Sequence, residues 1–177
     1  MSTEDDRAQS LLADPADADT LEELKAKLEH GVPKQIVGLL KEANGMRGDL
    51  SYCLLPGFYL LSARLLIRNQ REACEILEEG SSRLHLDETG DPGPVVGGFT
   101  VFAASSTGAQ LLVRSSTEDI PVIDGEDVCI LRFDRGVRRI ASTIEEVVGM
   151  AIVEYRTQRA RFEPGMGLFA DVGSEFG

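Results

Sequence analysis

A change of period partway along the chain limits what it can fold into. Through residue 79 the apolar residues recur at helical spacing. From 98 to 141 they come in short runs separated by turn residues, and after Ser142 the helical spacing returns. Helices first, then a succession of strands, then a helix: that order predicts an α+β fold and not a βαβ nucleotide fold. The expected architecture is a set of N-terminal helices, a central, mainly antiparallel twisted sheet and a C-terminal helix.

The helical part divides at its breakers. Leu21, Leu24 and Leu28 share one face of a helix from Thr20 to Gly31, which Asp19 or Thr20 can cap and Gly31 can end. Pro33 suits the first turn of a second helix. Its buried stripe is Ile36, Leu39, Leu40 and Ala43, and Asn44-Gly45 closes it, since both residues tolerate a left-handed C-terminal cap. Tyr52–Leu55 is too short for a helix between Gly48 and Pro56-Gly57, so it is expected to be a buried strand or extended segment. Ser62 can cap a further helix reaching Glu79, which Gly80 ends.

Residues 84–98 are rich in glycine and proline. Beyond them, 98–103 and 110–114 read as strands joined at Ser105–Gly108, a hairpin signal. Residues 121–123, 127–133 and 137–141 continue the sheet, with Asp134-Arg-Gly136 as a tight turn. Ser142, with Glu145 three residues on, predicts a capping box for the last helix, running to Val153 or further. Residues 1–18 are expected to form a flexible acidic arm, 19–155 a single domain and 156–177 an irregular tail.

Composition then excludes several functions. No run approaches the roughly 18 apolar residues of a membrane span, and the N-terminus is acidic, unlike a signal peptide. A cytoplasmic location is expected. The formal net charge is -12, which argues against a nucleic-acid binder, because phosphate affinity comes from Lys and Arg. It suits a chain that meets a basic protein partner. Residues 1–30 carry nine acids against three bases, and 91–150 nine against five. The second excess falls within the expected sheet.

Chemistry-bearing constellations are absent. Cys53, Cys74 and Cys129 form no CxxC pair and are expected to be free thiols. His30 suits a helix C-terminus, and His85 beside Asp87 and Glu88 offers too few ligands for a metal site. There is no phosphate loop and no GxSxG. Gly165-Met-Gly167 is only a fragment of a dinucleotide motif. The acidic pairs Glu145-Glu146 and Asp124-Gly-Glu-Asp127 do not face each other across a cleft as hydrolysis requires. The expectation is a protein that is not an enzyme, with no cofactor and no metal.

Four strings carry a family resemblance: VPKQIVGLLKEANGMRGDL, LLPGFYLLSARLLIRNQ, GGFTVFAASSTGAQLLVRS and PVIDGEDVCILRFDRGVRRIASTIEEVVGMA. Their order and spacing, over about residues 20–153, resemble the SUKH superfamily (Smi/Knr-type immunity domains). The resemblance implies an immunity-type protein of a bacterial polymorphic toxin system, which masks a cognate toxin domain, often a nuclease, by stoichiometric binding. An alternative on the same scaffold is a regulatory adaptor. Relatives often carry acids in the turn after the first of these strands, whereas Ala103–Ala109 here has none. The expected contact residues are therefore Glu118, Asp119, Asp124, Glu126 and Asp127.

Overall fold

The computed structural model describes residues 12–28, 31–47, 55–79, 98–115, 126–132, 136–157, 159–163 and 167–170. The expected strand at 121–123, the last residue of the expected strand at 127–133, residues 134 and 135 of the expected turn, and Cys53, His30 and His85 lie outside them. Helix α1 spans Ala18–Lys27 and α2 spans Lys34–Glu42. Asp17 caps α1, slightly earlier than expected. Its carboxylate accepts the Thr20 N–H at 2.8 Å, and that bond holds its pKa below the usual carboxylate value. Leu21 and Leu24 are buried as their spacing predicts, and so are Ile36 and Leu40 on α2.

Asn44-Gly45 does something other than cap α2. The helix ends at Ala43 in an extended conformation. Asn44 instead reaches α3, which spans Ala63–Glu79, and its Oδ1 accepts the Ala63 N–H at 2.8 Å. Ser62 Oγ accepts the Leu65 N–H at 3.4 Å, so two side chains satisfy the first turn of α3. Gly45 has φ +80°, and a Cβ there would lie 2.5 Å from the Ser62 backbone nitrogen. The corner therefore needs glycine for conformation and for space.

The N-terminal segment docks on this same corner. Ala13 N–H donates to Gly45 O at 3.0 Å, Ala16 N–H to Leu40 O at 2.8 Å, and Asn44 N–H to Asp14 O at 3.0 Å. Leu12 and Ala16 pack against the core. The acidic arm is therefore not loose as far as residue 18: from Leu12 onward its backbone is hydrogen-bonded along the end of α2.

The sheet is an antiparallel meander of β1 (Phe58–Leu60), β2 (Phe99–Ser105), β3 (Gln110–Ser115), β4 (Glu126–Arg132) and β5 (Gly136–Ala141), in that spatial order. The strand expected at Tyr52–Leu55 is described only at Leu55, which forms an isolated bridge to Phe58 across the Pro56-Gly57 turn. The first strand proper comes after that turn. β1 is short and pairs with β2 only at residues 103–105. Gln70 of α3 occupies the edge that β1 leaves open. Its Nε2 donates to Phe99 O and its Oε1 accepts the Val101 N–H, both at 3.0 Å. One side-chain amide thus serves as a peptide unit on a bare strand edge.

Every residue from Phe99 to Ala104 and from Asp127 to Leu131 is buried, so both faces of β2 and β4 are covered. Helix α3 packs on β2, and α4 (Ile144–Arg156) packs on β5. The C-terminal tail, expected to be irregular, forms a hairpin of β6 (Ala160–Glu163) and β7 (Gly167–Ala170), with α4 against β6. Its glycines obscured a short strand pair whose alternation is only four residues long.

Gly45→Ala should be severely destabilising. The left-handed backbone alone costs about 1–3 kcal/mol, and the clash is with main chain, which has little room to give. Denaturant melts should show a loss of at least about 3 kcal/mol, whereas Gly38→Ala, whose Cβ would meet nothing within 4 Å, should be neutral or mildly stabilising, because alanine favours helix.

Candidate partner-binding surface

Two of the expected contact acids are described, and neither is open. Asp127 is 1% exposed. It stands opposite Arg114 in the β3–β4 ladder, which grips it with two bonds, Nε to Oδ1 at 3.0 Å and Nη2 to Oδ2 at 2.6 Å. Arg139 of β5 approaches Oδ2 at 3.5 Å. Asp127 is thus corrected from a contact to an internal clamp across three strands. Its neighbour Glu126 points the other way, as alternation along a strand requires. Glu126 Oε1 accepts the Lys34 N–H at 2.9 Å, and its Oε2 accepts the Gln35 N–H at 3.4 Å. Pro33 gives α2 no side-chain cap of its own, so a carboxylate 92 residues away supplies the anion that a helix N-terminus favours. Glu118, Asp119 and Asp124 lie outside the described residues.

Cys129 is inert by position. Burial, followed by the nearby Asp127 charge, pushes its thiol up to about 12. Cys74 is half-buried and, like Cys129, forms no disulfide. Among the described residues no group of His, Cys, Asp and Glu is placed to hold a metal ion, and no helix is long and apolar enough to cross a membrane.

What remains open lies between α2 and α4. Gln35 fixes the two helices relative to each other: its Nε2 donates to Ser142 O at 3.3 Å and its Oε1 accepts the Ile144 N–H at 2.7 Å. The capping box of α4 sits one residue later than expected. Thr143 Oγ1 accepts the Glu146 N–H at 3.1 Å, and Glu146 Oε2 accepts the Ser142 N–H at 2.7 Å. The Ser142 hydroxyl is occupied by Arg139 at 2.9 Å, which leaves capping to Thr143. Glu145 is thereby free of capping and stands exposed.

A groove of about 620 Å³ runs between the helices, floored by Gly38, Leu39, Ile144 and Val148 and edged by Glu42 and Glu145. Farther along α4, Ile152 and Tyr155 continue the apolar strip from Val148, each of the three between 41% and 45% exposed. At 100° per residue they adjoin the buried stripe of Ile144, Val147 and Ala151. The result is an apolar channel with an acidic rim. Sequence reasoning placed neither, because α4 reads as one apolar helix and the rim joins residues about a hundred positions apart. No protein-family model matches this chain, and no curated protein matches it in sequence.

Removing one partner of a buried, bidentate ion pair costs about 3–5 kcal/mol. Asp127→Ala and Arg114→Ala should each lower stability by that order in denaturant melts, and Glu126→Ala by about 1 kcal/mol, the worth of a cap. Charge reversal at Asp127 should unfold the chain before it tests any interface. The Cys129 thiol should resist alkylation in the native protein and react on unfolding. Folding raises its pKa from 9.0 to about 12, so its contribution to stability is complete below pH 9 and is lost progressively from there toward pH 12.

Proposed function

We propose that this chain is an immunity-type binding protein that masks a basic bacterial toxin domain by stoichiometric association, as its sequence resemblance to the SUKH superfamily implies. The observation that carries the reading is the α2–α4 groove. An apolar channel lined by Leu39, Ile144 and Val148 is flanked by Glu42 and Glu145, and Ile152 and Tyr155 add exposed apolar surface farther along α4. Such a surface suits a protein segment that inserts an apolar side chain and brings Lys or Arg beside it. The net charge of -12 adds long-range attraction for a basic partner and speeds encounter at low salt. A nuclease domain fits that chemistry, because acids here compete with phosphates for the same basic residues.

The test is a search of the neighbouring genes for a basic toxin domain and reconstitution of this chain with it; a neighbourhood that encodes none counts against the reading. A one-to-one complex that abolishes toxin activity is expected. Val148→Asp with Ile152→Asp should weaken it at least about a hundredfold, as a disrupted interface centre does, with unchanged thermal melts. Glu42→Lys with Glu145→Lys should slow association about tenfold at low salt and flatten its salt dependence. Binding untouched by both pairs would place the interface elsewhere, and a chain that inhibits no toxin would return the scaffold to a regulatory adaptor.

A further inference from the structure

The exposed side of α4 carries its own complement. Glu145 lies in the first turn and Arg156 in the last, eleven positions apart. Eleven residues make about three turns, so the two stand on one line along the helix with opposite charges at its ends. Both are exposed, and neither side chain has an ion pair or hydrogen bond among the described residues. Glu146 and Arg159, by contrast, are committed to Ser142 and Glu154. Between Glu145 and Arg156 the same line holds Gly149 and Ile152, both exposed. At 100° per residue, Val148 and Tyr155 run together along one flank of it.

Gly149 has no internal reason to be glycine. A Cβ there would meet nothing within 4 Å, and glycine in mid-helix costs about 0.5–1 kcal/mol relative to alanine. What a bare position on an exposed helix face allows is the close approach of a second helix. The α2–α4 groove, for its part, suits a segment with an apolar side chain and a cation one turn beyond it. Ile152 and Arg156 are such a segment, on this chain itself.

We propose that the free chain pairs with a second copy of itself through α4, the two helices antiparallel about a two-fold axis that crosses α4 between Met150 and Ala151. Each copy's Arg156 then meets Glu145 of the other, at the acidic edge that Glu145 forms with Glu42, and each Ile152 lies over the other's Gly149. Val148 and Tyr155 share a flank and come together along it. A two-fold interface requires this reciprocity, residue for residue. The proposal goes beyond the toxin reading and does not depend on it. A toxin segment and the second copy would take the same strip, so pairing belongs to the free chain and toxin binding would displace it.

One pair of short helices is a small interface, and two chains of net charge -12 repel at long range. A dissociation constant on the order of ten to a hundred micromolar is therefore expected. Salt should tighten pairing by screening that repulsion, the reverse of its effect on attachment to a basic toxin.

The experiment is sedimentation equilibrium of the full chain, up to about 0.5 mM, where most of it should be dimer. Glu145→Arg alone and Arg156→Glu alone each set like charges against each other twice and should weaken pairing at least about tenfold. The double variant should recover to within about threefold of the starting chain, and an equimolar mixture of the two single variants should recover as a heterodimer, because both arrangements restore opposite charges. Gly149→Gln should raise the melting temperature while abolishing pairing, since glutamine favours helix and blocks the approach. A chain that stays monomeric throughout overturns the proposal and leaves the strip to a foreign partner. So does a dimer indifferent to the single reversals, or one that neither the double variant nor the mixture restores. No toxin enters the measurement, so its outcome is independent of the inhibition assay.

Discussion

Glu126 and Asp127 begin β4 as adjacent carboxylates facing opposite ways, and much of the molecule is organised by where each one goes. Asp127 turns inward, where a lone carboxylate would be costly to desolvate. It persists because Arg114 meets it squarely across the ladder and Arg139 approaches from the next strand. Those contacts fix the register of β3, β4 and β5, since a slip of one residue would send the carboxylate to the other face and strand the arginine. Glu126 holds the first turn of α2. A single dipeptide thus sets the strand register and the position of a helix.

From α2 the constraint passes to α4. Gln35 lies on the turn that Glu126 caps, and its amide satisfies both a carbonyl and an orphan helix N–H at the start of α4. Arg139, having reached Asp127, also takes the Ser142 hydroxyl and so moves the cap of α4 to Thr143. Both helices are anchored at their N-termini to the same corner of the sheet. Their facing sides cannot close together to cover Val148, and the groove is a consequence of that anchoring. It is consequently preformed, which lowers the ordering cost of binding.

Local pattern was enough for the fold class, because burial of a helix face or a strand leaves a period in the chain. Leu21, Leu24, Ile36 and Leu40, the runs at 99–104 and 127–131, and the final helix were all legible in that way. The misreadings share a cause. Asn44-Gly45 has the composition of a helix terminator, yet its amide and its missing Cβ answer to Ala63 and Ser62, nineteen and seventeen positions on. Glu126 and Asp127 read as surface contacts because acids usually face water, and only the register revealed Arg114. The groove was illegible for a similar reason: nothing in α4 alone says which half of its wide apolar face the sheet will cover.

Side-chain amides show how the described seams are sealed in a chain whose described cysteines form no disulfide. Asn44, Gln35 and Gln70 each join two elements, and the two glutamines use their donor and their acceptor together. Against that economy the unmet oxygen of Gln110 stands apart, since the same fold satisfies its other seam amides so fully. The acids divide in a parallel way. Asp127 is neutralised within the sheet, and Glu126 and Glu146 are committed to helix N-termini. Glu42 and Glu145 on one concave surface, and Glu72 and Glu75 on another, have no such structural duty. Net charge alone suggested a generally acidic surface. Among the described acids, Glu42 and Glu145 stand beside the α2–α4 groove, and Asp19, Glu22 and Glu23 stand exposed on α1.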